Sequence, residues 1–200
     1  GRTDALGEPQ REQARIILYC SQTLNGLIDD ILDLAKVEAG KMTVDLAACS
    51  TAALIRELEG EFGELADRSG VTLRIEVDSG FPEAFESDCG RLRQILRNLL
   101  ANAFKFTHTG GVLLRFRCAT GSAGDKPDQA WLSISVQDTG IGISAAAQAH
   151  IFDEFVQLDA GESRRYEGTG LGLAICRKLA TIIGGRIVLE SRENQGSTFT

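Results

Sequence analysis

The stretch Asn98-Leu-Leu-Ala-Asn102-Ala-Phe-Lys105 places two carboxamides and a lysine at helical spacing. In a helix these three side chains share one face, and the leucines between them fall on the neighbouring face. Carboxamide oxygens are suitable ligands for Mg²⁺, and lysine supplies a point charge for phosphate. The stretch therefore predicts a helix that presents metal and phosphate ligands on its polar side. Taken alone, it is also compatible with an ordinary solvated face.

Three further motifs follow: Asp138-Thr-Gly140-Ile-Gly142, Phe152-Asp-Glu-Phe155 and Gly168-Thr-Gly170-Leu-Gly172. The first lies just after a predicted strand, where a carboxylate can accept hydrogen bonds from an amino group and glycines allow a ring to approach the backbone. The last opens a predicted helix, whose first N–H groups favour phosphate. Its spacing and the polar stretch before it differ from a dinucleotide fingerprint. An ordinary turn in the first motif and core packing of the two phenylalanines remain open alternatives.

The hydrophobic pattern predicts an α+β fold. Alternating strands, capped helices and two hairpin-like connections indicate a two-layer sandwich, with one mixed sheet covered on one face by helices. Residues 121–128 are predicted to form a loop, and residues 157–169 a mobile loop. The predicted strands cover about 43–46, 71–77, 112–118, 131–136, 186–191 and 197 onward, and the predicted helices about 51–68, 88–106, 145–152 and 170–183.

A long helix from about Pro9 to Glu38 is predicted to precede the sandwich, with Gly40 placed to end it. Its apolar residues recur at the alternating three-four spacing of a bundle seam. A packed surface helix is one interpretation, but a seam this regular favours a partner helix. We therefore expect residues 1–42 to belong to a helical dimerisation domain and residues 43–200 to form a separate domain. The seam residues are Ile17, Cys20, Leu24, Leu27, Ile31 and Leu34.

The composition of the chain argues against some classes of function. The chain of 200 residues has a net charge of −7 and a pI near 4.9, which argues against a nucleic-acid surface. No apolar run is long enough to span a membrane, and no signal peptide is visible. The last predicted strand reaches Thr200, so we expect a piece of a longer protein. The number of cysteines is odd and none forms a CxxC pair, which favours reduced thiols. They are Cys20, Cys49, Cys89, Cys118 and Cys176.

Taken together, the four motifs resemble the ATP-binding domain of sensor histidine kinases, in the superfamily that includes gyrase B, Hsp90 and MutL. The resemblance covers nearly the whole chain, and residues 31–41 look like the end of the second dimerisation helix. That helix end and the second glycine motif are also similar to those of hybrid kinases. The resemblance implies ATP and Mg²⁺ as cofactors, with the metal at Asn98 and Asn102. The nucleotide-binding residues that it implies are Asn98, Asn102, Lys105, Asp138, Gly140, Ile141, Gly142, Phe152, Phe155, Arg164, Gly168, Thr169, Gly170, Leu171, Gly172, Leu173 and Thr198.

The same resemblance implies transfer of the ATP γ-phosphate to a histidine. Neither His108 nor His150 is followed by the acidic residue expected at the acceptor, so we expect the acceptor on a dimerisation helix absent from the sequence. Asn98 stands where related hydrolases have a glutamate, and a carboxamide cannot act as a general base. The expected protein is a cytoplasmic, homodimeric histidine kinase that signals to a response regulator or receiver domain. An ATP-hydrolysing relative and a non-enzymatic regulatory module, with nucleotide optional, are the alternatives.

Overall fold

The structure, a computed structural model, describes residues 7–120, 130–156 and 169–200. Two compact units make up the chain, Gly1–Met42 and Thr43–Thr200. The predicted loop at 121–128 and residues 157–168 of the loop predicted at 157–169 lie outside the described residues. Within the described residues, no helix has the length and apolar content needed to cross a bilayer.

The first unit contains α1, Glu8–Glu38, which begins one residue before the predicted start. The helix ends at Ala39, and Gly40 follows with a left-handed φ of 61°, as expected of a glycine just after a helix. Most of the predicted seam is open to solvent, with Ile17 69% exposed, Leu24 57% and Ile31 49%, whereas Leu34 is buried at 8%. An apolar stripe of this size on a helix is typical of an interaction surface.

The second unit is the predicted α+β sandwich. A five-stranded sheet has the order β2-β4-β5-β7-β6, and β1 and β3 form a separate two-stranded sheet. The β2–β4 pair is parallel and the other pairs are antiparallel, so the larger sheet is mixed. The elements are β1 Ala47–Ser50, α2 Thr51–Ser69, β2 Thr72–Val77, β3 Ala84–Ser87, α3 Cys89–Phe106, β4 Gly111–Thr120, β5 Ala130–Asp138, α4 Ala145–Gln148, α5 Gly172–Ile182, β6 Leu189–Arg192 and β7 Gly196–Phe199.

The core lies between the larger sheet and the helices α2, α3 and α5. Alternate residues of β4 point into it, and Leu114 and Phe116 are fully buried, as a strand with one covered face requires. The leucines of α3 pack on this face, with Leu96 and Leu99 at most 3% exposed. These buried leucines fix the rotation of α3 about its axis, so its polar face lies at the edge of the core.

Two side-chain caps set where the main helices begin. The Ser50 side chain accepts a hydrogen bond from Ala53 N at 3.3 Å, and α2 starts at the next residue. Asp88 caps α3 by accepting from Arg91 N at 3.0 Å, and its second oxygen accepts from Asp45 N at 3.1 Å. Such caps satisfy N–H groups that have no partner inside the helix.

Several predicted elements have different bounds in the structure, among them the strand predicted at 186–191, which is Leu189–Arg192. The strand predicted at 43–46 was wrong: the strand is Ala47–Ser50, because it pairs with Ala84–Ser87, a partner some 37 residues away. The helix predicted at 145–152 ends at Gln148. His150 N and Ile151 N both donate to Ala147 O, so the helical ladder stops there and the chain turns.

The prediction of five reduced thiols was also wrong. A disulfide joins Cys49 of β1 to Cys89 at the start of α3, with the Cα atoms 5.6 Å apart. The two cysteines are 40 residues apart in sequence, and tertiary folding brings them together. The three remaining cysteines, Cys20, Cys118 and Cys176, are free.

Candidate functional site

Asp138 ends β5 in a buried position, with 7% exposure. Its Oδ1 accepts a hydrogen bond from Gly140 N at 2.8 Å, and the backbone N–H of Ser197 also bonds to the carboxylate. Burial raises the pKa of Asp138, and these two N–H bonds partly offset that rise. The result is a desolvated carboxylate held in one orientation, with lone pairs left to accept further donors.

The loop after Asp138 fits closely against two neighbouring segments. A Cβ on Gly140 would lie 2.3 Å from the carbonyl oxygen of Phe106, and a Cβ on Gly142 2.0 Å from that of Arg192. Ile141 N donates to the same Phe106 oxygen at 3.3 Å. Only glycine permits such approach, so the end of α3 and the end of β6 together define the position of this loop.

A cleft of about 200 Å³ opens beside the loop. Ile141, 42% exposed, and the half-buried Phe106 offer apolar surface there. Its lining residues are Phe106, His108, Thr109, Thr139, Gly140, Ile141 and Asn194. A larger cavity of about 550 Å³ lies between α2 and β2 and contains none of the motif residues.

The polar face of α3 runs away from this cleft. Asn98, Asn102 and Lys105 are all half-buried. The Asn98 Nδ2 atom is buried and has no hydrogen-bond partner among the described residues. Burial lowers the pKa of Lys105, whose Nζ lies 5.0 Å from the Phe106 ring centroid. Buried polar groups normally have partners, so an unpaired carboxamide points to a missing ligand.

The second glycine motif brings the start of α5 to this face. Gly170 has φ 69°, and α5 begins at Gly172, two residues after the predicted start, because a left-handed residue cannot belong to the helix. Leu171 is fully buried, and its N–H donates to Thr169 Oγ1 at 3.0 Å. A Cβ on Gly172 would lie 3.9 Å from Asn98 Cγ. The first turn of α5, which includes Leu173, therefore presents its N–H groups next to Asn98.

The phenylalanine motif packs under the start of α5. The Phe152 ring contacts Phe199 edge-on at 6.4 Å, and Arg177 of α5 lies over it at 5.3 Å and donates to its carbonyl at 3.1 Å. Phe155 is 66% exposed with a left-handed φ of 61°. Its N–H donates to Gly170 O at 3.1 Å, so the two ends of the intervening segment are tied together.

The structure places one predicted residue elsewhere. Thr198 pairs with Gln137, so both side chains lie on the face of the sheet opposite Asp138. Ser197, 6% exposed, lies on the Asp138 face instead. Sequence reasoning missed Ser197 and Phe106. Ser197 is two residues before the apolar Phe199, so strand alternation places both on the same face of the sheet. Phe106 is the aromatic residue that directly follows Lys105.

The remaining predicted residues form one band. It runs from the Asp138–Gly142 loop, through Phe106 and the polar face of α3, to the first turn of α5. Arg164 and Gly168 lie outside the described residues. A carboxylate that can accept an amino group at one end, and a helix N-terminus suited to phosphate at the other, define a nucleotide-binding domain.

The chain belongs to the family of histidine kinase-, DNA gyrase B- and HSP90-like ATPases, whose pattern matches residues 87–200. It is 41% identical over 197 residues to the circadian input-output histidine kinase CikA of Synechococcus elongatus, covering 98% of this chain and 25% of that protein. The chain thus spans about a quarter of that relative's length.

Solved structures agree with this assignment. Full-length ShkA in complex with AMPPNP superposes with a TM-score of 0.78 at 33% identity, over 98% of this chain and 38% of that one. The histidine kinase ThkA, in complex with the response regulator protein TrrA, has the same fold, with a TM-score of 0.67 at 24% identity over 98% of this chain and 51% of that one. Within the family, the chain is therefore an ATP-binding catalytic domain of the sensor histidine kinase type.

Proposed function

We propose that the unit of residues 43–200 holds Mg-ATP along this band and presents the γ-phosphate to a histidine on a separate helix. The observation that carries the proposal is the contact between the polar face of α3 and the start of α5. There the Asn98 Nδ2 atom, which has no hydrogen-bond partner in the part of the chain that the structure describes, lies beside Gly172. A phosphate chain between them would satisfy both the carboxamide and the helix N–H groups.

At the purine end, Asp138 accepts the exocyclic amine of adenine, and the base lies between Ile141 and Phe106. Both side chains line the cleft beside the aspartate. The glycine backbone at 140 and 142 leaves room for the ring, and Ser197 takes the role that the sequence prediction gave to Thr198. An aromatic ring and an aliphatic side chain are typical walls of a base-binding site.

At the phosphate end, Lys105 and the first N–H groups of α5 bind the phosphate oxygens. The phosphates in turn favour the charged form of Lys105, against the burial that lowers its pKa. Thr169, Gly170, Leu171 and Leu173 contribute by fixing the start of the helix. Arg164 and Gly168 are proposed to approach the phosphates from the intervening segment.

The protein side chains at this site suit Mg²⁺ only when the ion is bound together with the phosphates of the nucleotide. Within the described residues, no group of three His, Cys, Asp or Glu side chains could hold a metal by itself. Carboxamide oxygens of Asn98 and Asn102, together with phosphate oxygens and water, are the kind of oxygen ligands that Mg²⁺ prefers. When bound, the ion would neutralise charge on the phosphates.

The chemistry that these residues support is phosphoryl transfer by positioning. A carboxamide at Asn98 cannot take a proton from water, which counts against ATP hydrolysis. Neither histidine of the chain is suited to be the acceptor. Both lie in the unit of residues 43–200 rather than on a separate helix, and His108 lines the cleft at the purine end.

The exposed seam of α1 supports a dimeric full-length protein. We assign residues 1–42 to the dimerisation domain, where Ile17, Leu24 and Ile31 would pack on helices of the histidine-bearing domain. A response regulator or receiver domain is the proposed recipient of the phosphoryl group, and the cytoplasm is the proposed location.

The test is calorimetric titration of the 200-residue chain with ATP and Mg²⁺, beside Asp138→Asn. Losing a hydrogen bond to a charged group should weaken binding roughly 10- to 150-fold. Asp67→Asn, which changes an exposed carboxylate on α2, is the matched control and should bind normally. An unmutated chain that binds no nucleotide would refute the proposal. Transfer of labelled γ-phosphate to a separate histidine-bearing helical domain then tests the kinase step.

A further inference from the structure

The hydroxyl of Ser191, in β6, is the centre of a small network behind the Asp138 loop. It accepts a hydrogen bond from Ile143 N at 2.9 Å and donates to Gly196 O at 2.9 Å. It also lies 3.0 Å from Ser197 Oγ. Ser191 thus contacts the loop, the turn before β7 and the serine beside Asp138.

Counting protons gives the direction of the contact between the two serines. A hydroxyl has one proton to donate and two lone pairs to accept with. Gly196 O can only accept, so both contacts are hydrogen bonds at the same time only when Ser191 donates its single proton to Gly196 O. The proton in the contact with Ser197 must therefore come from Ser197. Since its proton is used, the Ser197 oxygen remains available only as an acceptor.

That acceptor is part of the surroundings of Asp138. Ser197 and Asp138 are 6% and 7% exposed, and the Ser197 backbone N–H bonds to the carboxylate. Two acceptors on adjacent strands, one charged and one neutral, therefore occupy the same face of the sheet. A base that brings N–H groups, directly or through water, fits them; a base that brings a carbonyl oxygen does not.

Gln148 holds the backbone around this network. Its Nε2 donates to Ile143 O at 2.7 Å and to Ser191 O at 3.0 Å. Both amide protons are therefore used to join the loop to β6. With the backbone on either side fixed, the Ser191 hydroxyl has little freedom to exchange its partners.

We propose that Ser191 is a positioning residue for base specificity: it holds the Ser197 hydroxyl as an acceptor, so that the site selects 6-amino over 6-keto purines. The inference rests on the proposed function, because it needs a nucleotide base at Asp138. Ser191 acts through Ser197 and does not itself touch the base.

The experiment compares dissociation constants for Mg²⁺ complexes of ATP and inosine triphosphate, whose 6-position is a carbonyl. In Ser191→Ala the freed Ser197 proton can turn to that carbonyl, so the preference for ATP should fall roughly three- to tenfold, the usual worth of one hydrogen bond. Ser197→Ala should lower it similarly. Ser191→Thr keeps the hydroxyl and should retain the preference.

A double-mutant cycle separates positioning from a general structural role. If Ser191 acts through Ser197, adding Ser191→Ala to Ser197→Ala leaves the ratio unchanged. Equal losses of both affinities in Ser191→Ala, or a further fall of the ratio in the double variant, would overturn the inference. If Ser191→Ala does not fold, Ser197→Ala decides: an unaltered ratio refutes the idea. An unmutated chain that binds neither nucleotide refutes the proposed function itself, whereas ATP binding with an unaltered ratio refutes only this inference.

Discussion

The two ends of the proposed nucleotide site are built in different ways. At the purine end, the Asp138 carboxylate has two backbone N–H partners, and the following loop is packed so closely that a Cβ on Gly140 would lie 2.3 Å from a carbonyl oxygen. At the phosphate end, Asn98 Nδ2 has no partner among the described residues, and a Cβ on Gly172 would meet nothing closer than 3.9 Å.

This difference suggests that one end of the site selects the base, whereas the other end depends on the ligand to satisfy its polar groups. The contacts that shape the purine end are made within the protein itself, so this end should reject a wrong base with little rearrangement. The phosphate end leaves polar groups unsatisfied until phosphate and metal arrive, so much of its order depends on the ligand. Substitutions at the first end should affect folding and binding together, and substitutions at the second should affect binding alone.

The largest expected effect comes from Gly140→Ala compared with Gly172→Ala. The first forces a Cβ against the Phe106 carbonyl, so the free energy of unfolding should fall by about 1–3 kcal/mol, as in overpacked cores, and ATP binding should weaken at least about tenfold. The second adds a methyl group at a helix start in ordinary van der Waals contact with Asn98; it should change unfolding by less than about 1 kcal/mol, while still weakening ATP binding. Urea unfolding and calorimetry measure the two quantities.

Equal losses of stability in Gly140→Ala and Gly172→Ala would contradict the difference in packing between the two ends. That outcome would mean that the phosphate end is as tightly packed as the purine end. Gly60→Ala, at a helical position on α2 with nothing within 4 Å of the added Cβ, shows the effect of helix propensity alone.

A smaller effect is expected from Asn98→Ala. Removing a buried polar group without a partner should leave the free energy of unfolding unchanged or raise it by up to about 1 kcal/mol. Mg-ATP affinity should fall roughly tenfold, because a ligand to metal and phosphate is lost. Gln94→Ala, one turn earlier on α3, is the control and should leave affinity intact. A clear loss of stability in Asn98→Ala would show that Asn98 supports the fold rather than the ligand.

The smallest expected effect is a pH dependence at the purine end. Burial raises the pKa of Asp138, so its contribution to stability is present below the unfolded-state pKa and is lost as pH rises through the folded-state pKa. Binding has the opposite sign, since the ionised carboxylate is the better acceptor. Between about pH 7 and pH 4, ATP affinity should fall a few-fold more in the unmutated chain than in Asp138→Asn. Parallel pH profiles would contradict this assignment.

Local signals in the sequence predicted the main helices and named most of the residues that lie along the candidate site. The helices capped by Ser50 and Asp88 begin within one residue of their predicted starts, and the spacing of Asn98, Asn102 and Lys105 already defines a helix face. Each of these features depends on residues within one or two turns, which is the range over which helical periodicity and capping act.

Features that depend on distant residues were not predictable in this way. The first strand lies at Ala47–Ser50 because its partner β3 lies there, and the Cys49–Cys89 pairing results from the same long-range contact. Ser197 faces Asp138 through the register between β5 and β7, and a shift by one residue exchanges the two faces of a strand. A one-residue shift of this kind decides whether Thr198 or Ser197 lies on the face of Asp138.

The disulfide has one more consequence, which concerns the chain as a polymer. It closes residues 49–89 into a covalent ring that contains α2, β2 and β3, while all the motif residues of the nucleotide site lie outside the ring. A single protease cut anywhere inside the ring opens it without splitting the molecule, and the two pieces separate only on reduction. The ring can therefore be cut, or new termini placed within it, while α3 remains covalently attached to the chain that precedes it.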